Sequence, residues 1–181
     1  MKSSQFWKQH FSNNLLAERV NWNLAPAITE KQKRTILKSL QAWQLGETSE
    51  GKHLIAASKK HAQQTDDPHF LEAVKLFIKE EQKHGENLGK YIDRINEPRI
   101  KADWGDTLFR QVRYYNTNME LWTLAVITVE STDQIFYQSL KDATQCKLLK
   151  QICTDILIDE AYHINFQFER LSIITRNKSR F

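Results

Sequence analysis

From Leu71 to Ile95, apolar residues recur at alternating steps of three and four: Leu71, Val74, Ile78, then Gly85, Leu88, Ile92 and Ile95. That period places them along one face of a helix. The seam is broken at Glu81, with His84 on its flank. A second run with the same period, Cys153, Leu157, Ile164, Phe168 and Leu171, is broken at Glu160, with His163 three residues on. Boundary signals around these runs predict four long helices. The first opens at Thr29, where T-E-K-Q has the form of a capping box, and runs to about Ala62, with Gly46 and Gly51 weakening its middle. The second starts at DDP (66–68), an N-cap carboxylate followed by proline, and stops before EP (97–98). A crossover from Asn96 to Asn118 carries a short helix around Trp104 to Tyr114. The third long helix then runs to about Lys141, and Thr144 caps the fourth, which ends near Arg176. Ahead of them, residues 1–28 with Phe6, Trp7, Phe11 and Trp22 read as an amphipathic arm packed on the helices.

Composition narrows the class to all-α. Five Gly and three Pro in 181 residues leave too little punctuation for many short strands, and the length suits one domain, 1–181, with the helical part at 29–176. The longest apolar stretch, Leu121 to Val129, is less than half of the roughly 20 residues that span a membrane. The amino-terminal residues lack the apolar core of an export signal, so a cytoplasmic location is expected. Cys146 and Cys153 stand seven residues apart on one predicted helix, about 10 Å between Cα atoms, too far to bridge. A net charge of +4 invites a nucleic-acid reading, but the basic residues are scattered and KQKR (31–34) reads as a solvated helix start, so neither DNA nor RNA is expected as a partner. Trp43, Trp104 and Trp122 read as core residues.

The breaks in the seams carry the chemistry. A carboxylate turned into a core costs several kcal/mol unless a partner, a proton or a metal ion satisfies it. Residues three apart share a helix face, so Glu81/His84 and Glu160/His163 can each address one ion. The other two long helices offer Glu130, which follows an apolar stretch, and Glu50, with Glu47 inward on the same stripe and His53 nearby. With the first helix running to about Ala62, Glu50 and Glu81 stand about equally far from the DDP turn, whereas Glu47 lies about 4.5 Å beyond their level. This counting favours Glu50 over Glu47 as the inward ligand, and makes His53 an outer or packing residue. The step from Glu50 to Glu81 nearly equals that from Glu130 to Glu160, as two matched helical hairpins would give.

These residues resemble the ligand pattern of the ferritin-like di-iron carboxylate superfamily, in which two helices each supply a Glu and two each supply a Glu-x-x-His. The resemblance covers about residues 29–176. It implies a four-helix bundle with a crossover between its second and third helices, and Glu50, Glu81, His84, Glu130, Glu160 and His163 as metal ligands, Glu81 and Glu160 bridging. It further implies that Asp159 holds His84 and that Tyr137 stands near the centre. Beyond the metal ligands it names no catalytic residue.

Mixed carboxylate and imidazole ligands suit two iron ions, with manganese an alternative of the same ligand type. The expected function is therefore an oxidoreductase activating dioxygen on a small organic substrate, served by an external electron donor, as a small oligomer such as a homodimer. An apolar space lined by Leu54, Ala57, Val126 and Ile127 would receive the substrate. Iron handling as a ferroxidase, or a bundle merely stabilised by metal, are the alternatives.

Overall fold

The Thr29 capping box forms: the Thr29 hydroxyl accepts from the backbone N–H of Gln32, and the Gln32 side chain accepts from that of Thr29. The computed structural model describes residues 1–105, 107, 111 and 118–178, with side chains to 176. Six helices and no strand occur among them: α1 (Ser4–Asn14), α2 (Glu30–Glu47), α3 (Lys52–Thr65), α4 (Phe70–Arg94), α5 (Met119–Ala143) and α6 (Lys147–Lys178). None is long and apolar enough to cross a membrane. Most of the crossover helix expected around Trp104 to Tyr114 lies outside the described residues. Trp104 itself is 80% exposed and so is not the core residue expected.

The first predicted helix is two. It ends at Glu47, and the chain resumes as α3 only at Lys52, after Gly51 has taken a left-handed conformation with φ of 61°. Thr48, Ser49 and Gly51 are poor helix formers, and an αL residue ends a helix wherever it falls. Neighbouring groups hold the break. The Gln82 side-chain amide donates to the Ser49 carbonyl at 3.2 Å, and a Cβ placed on Gly85 would stand only 2.8 Å from Thr48 Cγ2, so that glycine lets the segment lie against α4. The start of α4 also differs from expectation: its N-cap is His69, without a side-chain cap, while Asp67 Oδ1 accepts from the His69 N–H.

α2 and α3 pack on α4, α5 packs along α6, and α4–α6 and α3–α5 contacts join the two pairs. α1 lies on α4 as expected of the arm, burying Trp7 and Phe11 against Phe166 and Phe77. Each such aromatic contributes about 1.5–3 kcal/mol of hydrophobic stabilisation. Because α1 covers its outer side, α4 is buried beyond the single predicted stripe at Phe77 and Glu80, and His84 and Tyr91 further along are inaccessible as well. On α6 the buried face is rotated from the predicted seam. Phe168 is exposed, while Phe166, Gln167 and Arg170 are buried.

Two apolar cores result. One joins Leu40, Leu88, Ile92, Tyr137, Leu149 and Ile152; the other joins Trp7, Leu54, Phe70, Phe77, Trp122 and Phe166. On every long helix the sequence between these sets holds acids or imidazoles: Glu47 on α2, Glu80, Glu81 and His84 on α4, Glu130 and Asp133 on α5, and Asp159, Glu160 and His163 on α6. A polar layer therefore separates two apolar ones.

Candidate metal centre

Within that layer two groups of side chains bring one ligand atom each to within 4.8 Å of one another: Glu47, Glu81, His84 and Glu160, and Glu81, Glu130, Glu160 and His163. Glu81 and Glu160 belong to both groups. The sequence-predicted set is thus assembled with one replacement. Glu50 stands in the break between α2 and α3, its side chain 68% exposed and ion-paired with Lys52, and Glu47 takes the inward place. Counting residues from the DDP turn assumed an unbroken helix; the Thr48–Gly51 break removes that premise. His53 is exposed at the start of α3 and belongs to neither group.

The histidines are aimed by acids at their far nitrogens. Asp159 is held down at about 2: burial alone would raise it, but the hydrogen bond from His84 and the Asn14 and Arg19 contacts outweigh burial. An ionised Asp159 accepts from His84 Nε2–H at 3.1 Å, as the resemblance implied. Glu80 does the same for His163, whose Nε2–H donates to it at 2.9 Å. Both rings therefore turn Nδ1 toward the cluster. Sequence reading missed Glu80, although a signal exists: Glu80-Glu81-x-x-His84 repeats the acid-Glu-x-x-His form of Asp159-Glu160-x-x-His163.

The arm adds a link that no local pattern announces. Asn14, the last residue of α1, donates from one amide to both holding acids, to Glu80 Oε1 at 3.0 Å and Asp159 Oδ1 at 2.8 Å. Arg19 fixes that amide by donating to Asn14 Oδ1 at 2.7 Å, and also pairs with Asp155 and Asp159. Outer partners of this kind typically carry 10–100-fold of metal affinity. Asn14→Leu is expected to weaken metal binding about 10-fold, while Trp7 and Phe11 keep α1 docked. Chelator competition beside a thermal melt checks this; unchanged affinity would show that the amide does not hold the acids in place.

The inward atoms lack partners. Glu81 Oε1, Glu130 Oε2, both Glu160 oxygens and the Nδ1 atoms of His84 and His163 are buried without a hydrogen bond. They are nonetheless close: His163 Nδ1 lies 2.7 Å from Glu81 Oε1, 3.4 Å from Glu160 Oε2 and 3.7 Å from Glu130 Oε2, and His84 Nδ1 lies 3.3 Å from Glu160 Oε1. Adjacent ligands of one ion, each about 2.1 Å from it, stand about 3 Å apart, and these spacings bracket that value. Orphaned buried donors at ligand spacing fit a metal ion. Glu47 differs in already accepting the Tyr137 hydroxyl at 2.9 Å, which places Tyr137 beside the cluster.

Without metal, protons take up the charge. Burial, then the charges of Glu81 and Asp133, raise Glu47 well above the carboxylate range; burial, then Glu160 and Glu81, do the same for Glu130. Burial disfavours a charged His84, but the hydrogen bond to Asp159 and the Glu160 carboxylate push it up to about 10, and His163 rises likewise through Glu81 and Glu160. Glu160 stays ionised despite burial, held low by Glu130 and His163.

The cluster opens on a cavity of about 980 Å³ lined by residues of α2, α3, α4 and α5 and by the Thr48–Gly51 break. Trp43, Leu54, Phe77, Ile78, Trp122 and Val126 give it apolar walls, and Glu47, Glu81 and Glu130 form part of its lining. Of the four expected wall residues, Leu54 and Val126 line it; Ala57 and Ile127 do not. No family model, curated protein or solved structure matches this chain.

Proposed function

We propose that the protein is a di-metal, most simply di-iron, oxidoreductase that activates dioxygen against a small organic substrate held in the cavity. One observation carries this reading: orphaned carboxylate and imidazole atoms converge, at ligand spacing, where an apolar-walled cavity meets the polar layer. In it, α2 and α3 form a broken first helix and α4, α5 and α6 the other three of a ferritin-like bundle, with α1 as an added arm. Glu47, Glu81, His84 and Glu160 would hold one ion, and Glu81, Glu130, Glu160 and His163 the other, with Glu81 and Glu160 shared.

Two ferrous ions bound there would supply electrons for reducing dioxygen. The chain's own residues supply the rest. Asp159 and Glu80 keep both Nδ1 lone pairs aimed inward, and four carboxylates match the charge of two divalent ions. Tyr137 holds a proton on Glu47 Oε1, where it can be passed to or taken from the carboxylate. The aromatic and aliphatic walls exclude water from the side of the cluster that a substrate would face. An external electron donor completes a catalytic cycle. This cavity favours an organic substrate over iron as cargo.

Anaerobic loading with ferrous iron, followed by metal analysis and light scattering, tests the proposal. Uptake that stops at about two ions per chain in a small oligomer, followed by oxygen consumption on adding air and a reductant, is the expected result. A large cage that goes on to accumulate mineral, or a chain that retains no metal, would overturn it.

A further inference from the structure

Asp133 lies one turn beyond Glu130 on α5 and lines the same cavity, yet belongs to neither ligand group. It is 1% exposed, and its Oδ1 has no hydrogen-bond partner. A buried carboxyl can be satisfied by a metal ion, a proton or a cationic ligand. Its absence from both ligand groups removes the first; in the metal-free protein it keeps the second, which an ammonium group can displace. Two divalent ions would balance Glu47, Glu81, Glu130 and Glu160, leaving their charges unavailable to attract a ligand. At the rim Lys52 is paired with Glu50, and Asp103 accepts from the Gly105 N–H. Among the described cavity residues the acids outnumber the bases, and of the lining acids outside the two ligand groups Asp133 is the one whose buried oxygen is orphaned. Trp43, Phe77 and Trp122 line the same space and offer flat apolar surface and the π-faces that favour an adjacent cation.

We propose that the cavity is a binding site for an organic amine, its ammonium group on Asp133 and its apolar body against the tryptophan and phenylalanine walls. This assignment rests on the di-metal reading and adds the class of ligand. The amine donates to Asp133 Oδ1, and the apolar body extends toward the cluster, so that carbon rather than nitrogen faces Glu81 and Glu130. Asp133 is thus a recognition residue.

The test uses the metal-loaded protein under anaerobic conditions, with 2-phenylethylamine as probe and 2-phenylethanol as its near-isosteric neutral control. Calorimetry is expected to show the amine binding about tenfold or more tightly than the alcohol, the scale of a charge-assisted hydrogen bond. Asp133→Asn should reduce the amine to the alcohol's affinity while keeping the wild-type metal content. The wild-type selectivity is informative even if the variant fails to fold. Equal binding of amine and alcohol, an unchanged amine affinity in Asp133→Asn, or loss of metal from that variant overturns the assignment. A wild-type protein that takes up no metal ends the di-metal reading; one that takes up metal without preferring the amine ends this inference alone.

Discussion

Glu47→Ala is expected to lose one of two bound metal ions, whereas Glu50→Ala keeps both. Glu47 is a buried member of the group formed with Glu81, His84 and Glu160, while Glu50 points into solvent and pairs with Lys52. Removing a direct ligand should weaken its site by more than the roughly 10–100-fold carried by an outer partner. Removing Glu50 breaks only an exposed pair, which is worth about 0–1 kcal/mol. The comparison is internally controlled, because the two residues lie three apart around one helix break. Metal content after dialysis, with titration of the weaker site, distinguishes them. Loss of an ion from Glu50→Ala with Glu47→Ala fully loaded would mean that the break closes into a continuous helix on metal binding.

Metal-free protein is expected to lose stability as pH rises from about 6 to about 9, and metal should flatten that dependence. His84, raised from 6.5 to about 10, contributes stability that is complete below 6.5 and lost as pH climbs through about 10. Asp133, raised by burial and the Glu160 and Glu81 charges to about 9, retains a proton that the unfolded chain releases above 3.8, so its contribution also falls with rising pH. His163, Glu47 and Glu130 shift in the same direction. Asp159 and Glu160 are depressed and act oppositely, but their stability is lost only in strong acid as pH falls. Each proton held by the native state alone changes stability by up to about 1.4 kcal/mol per pH unit. Metal takes the place of these protons at its ligands, so loading releases protons and strengthens with pH. Melting temperatures at pH 6, 7.5 and 9, with and without ferrous iron under nitrogen, check the sign. Metal-free stability that increases toward pH 9 would show the cluster to be less protonated than this geometry implies.

Legibility followed the range of the forces involved. The capping box at Thr29, the helical period of α4 and the acid-Glu-x-x-His pairs are fixed by residues within a turn or two of each other, so the all-α class and most of the converging side chains could be read directly. Glu81, His84, Glu130, Glu160 and His163 were legible because a charge inside an apolar seam has few explanations. Counting levels along an ideal helix failed at Glu50, since one αL residue, Gly51, ends the helical geometry on which counting depends. Gly46 and Gly51 had marked the weakness without saying where it would yield. Burial of Glu80 was decided by α1 covering the outer side of α4, and rotation of the α6 face toward Phe166 by the aromatic cluster of that same arm. Asn14 reaches Glu80 and Asp159 across 66 and 145 residues, and Asp133 is orphaned only because nothing on the facing helices donates to its Oδ1. The sequence by itself determined the helices and the acids and imidazoles they carry inward, through short-range periodicity and the cost of burying charge. Tertiary structure alone decided which carboxylate completes the cluster, what holds its histidines and where the cavity opens, because each depends on backbone meeting backbone across distant parts of the chain.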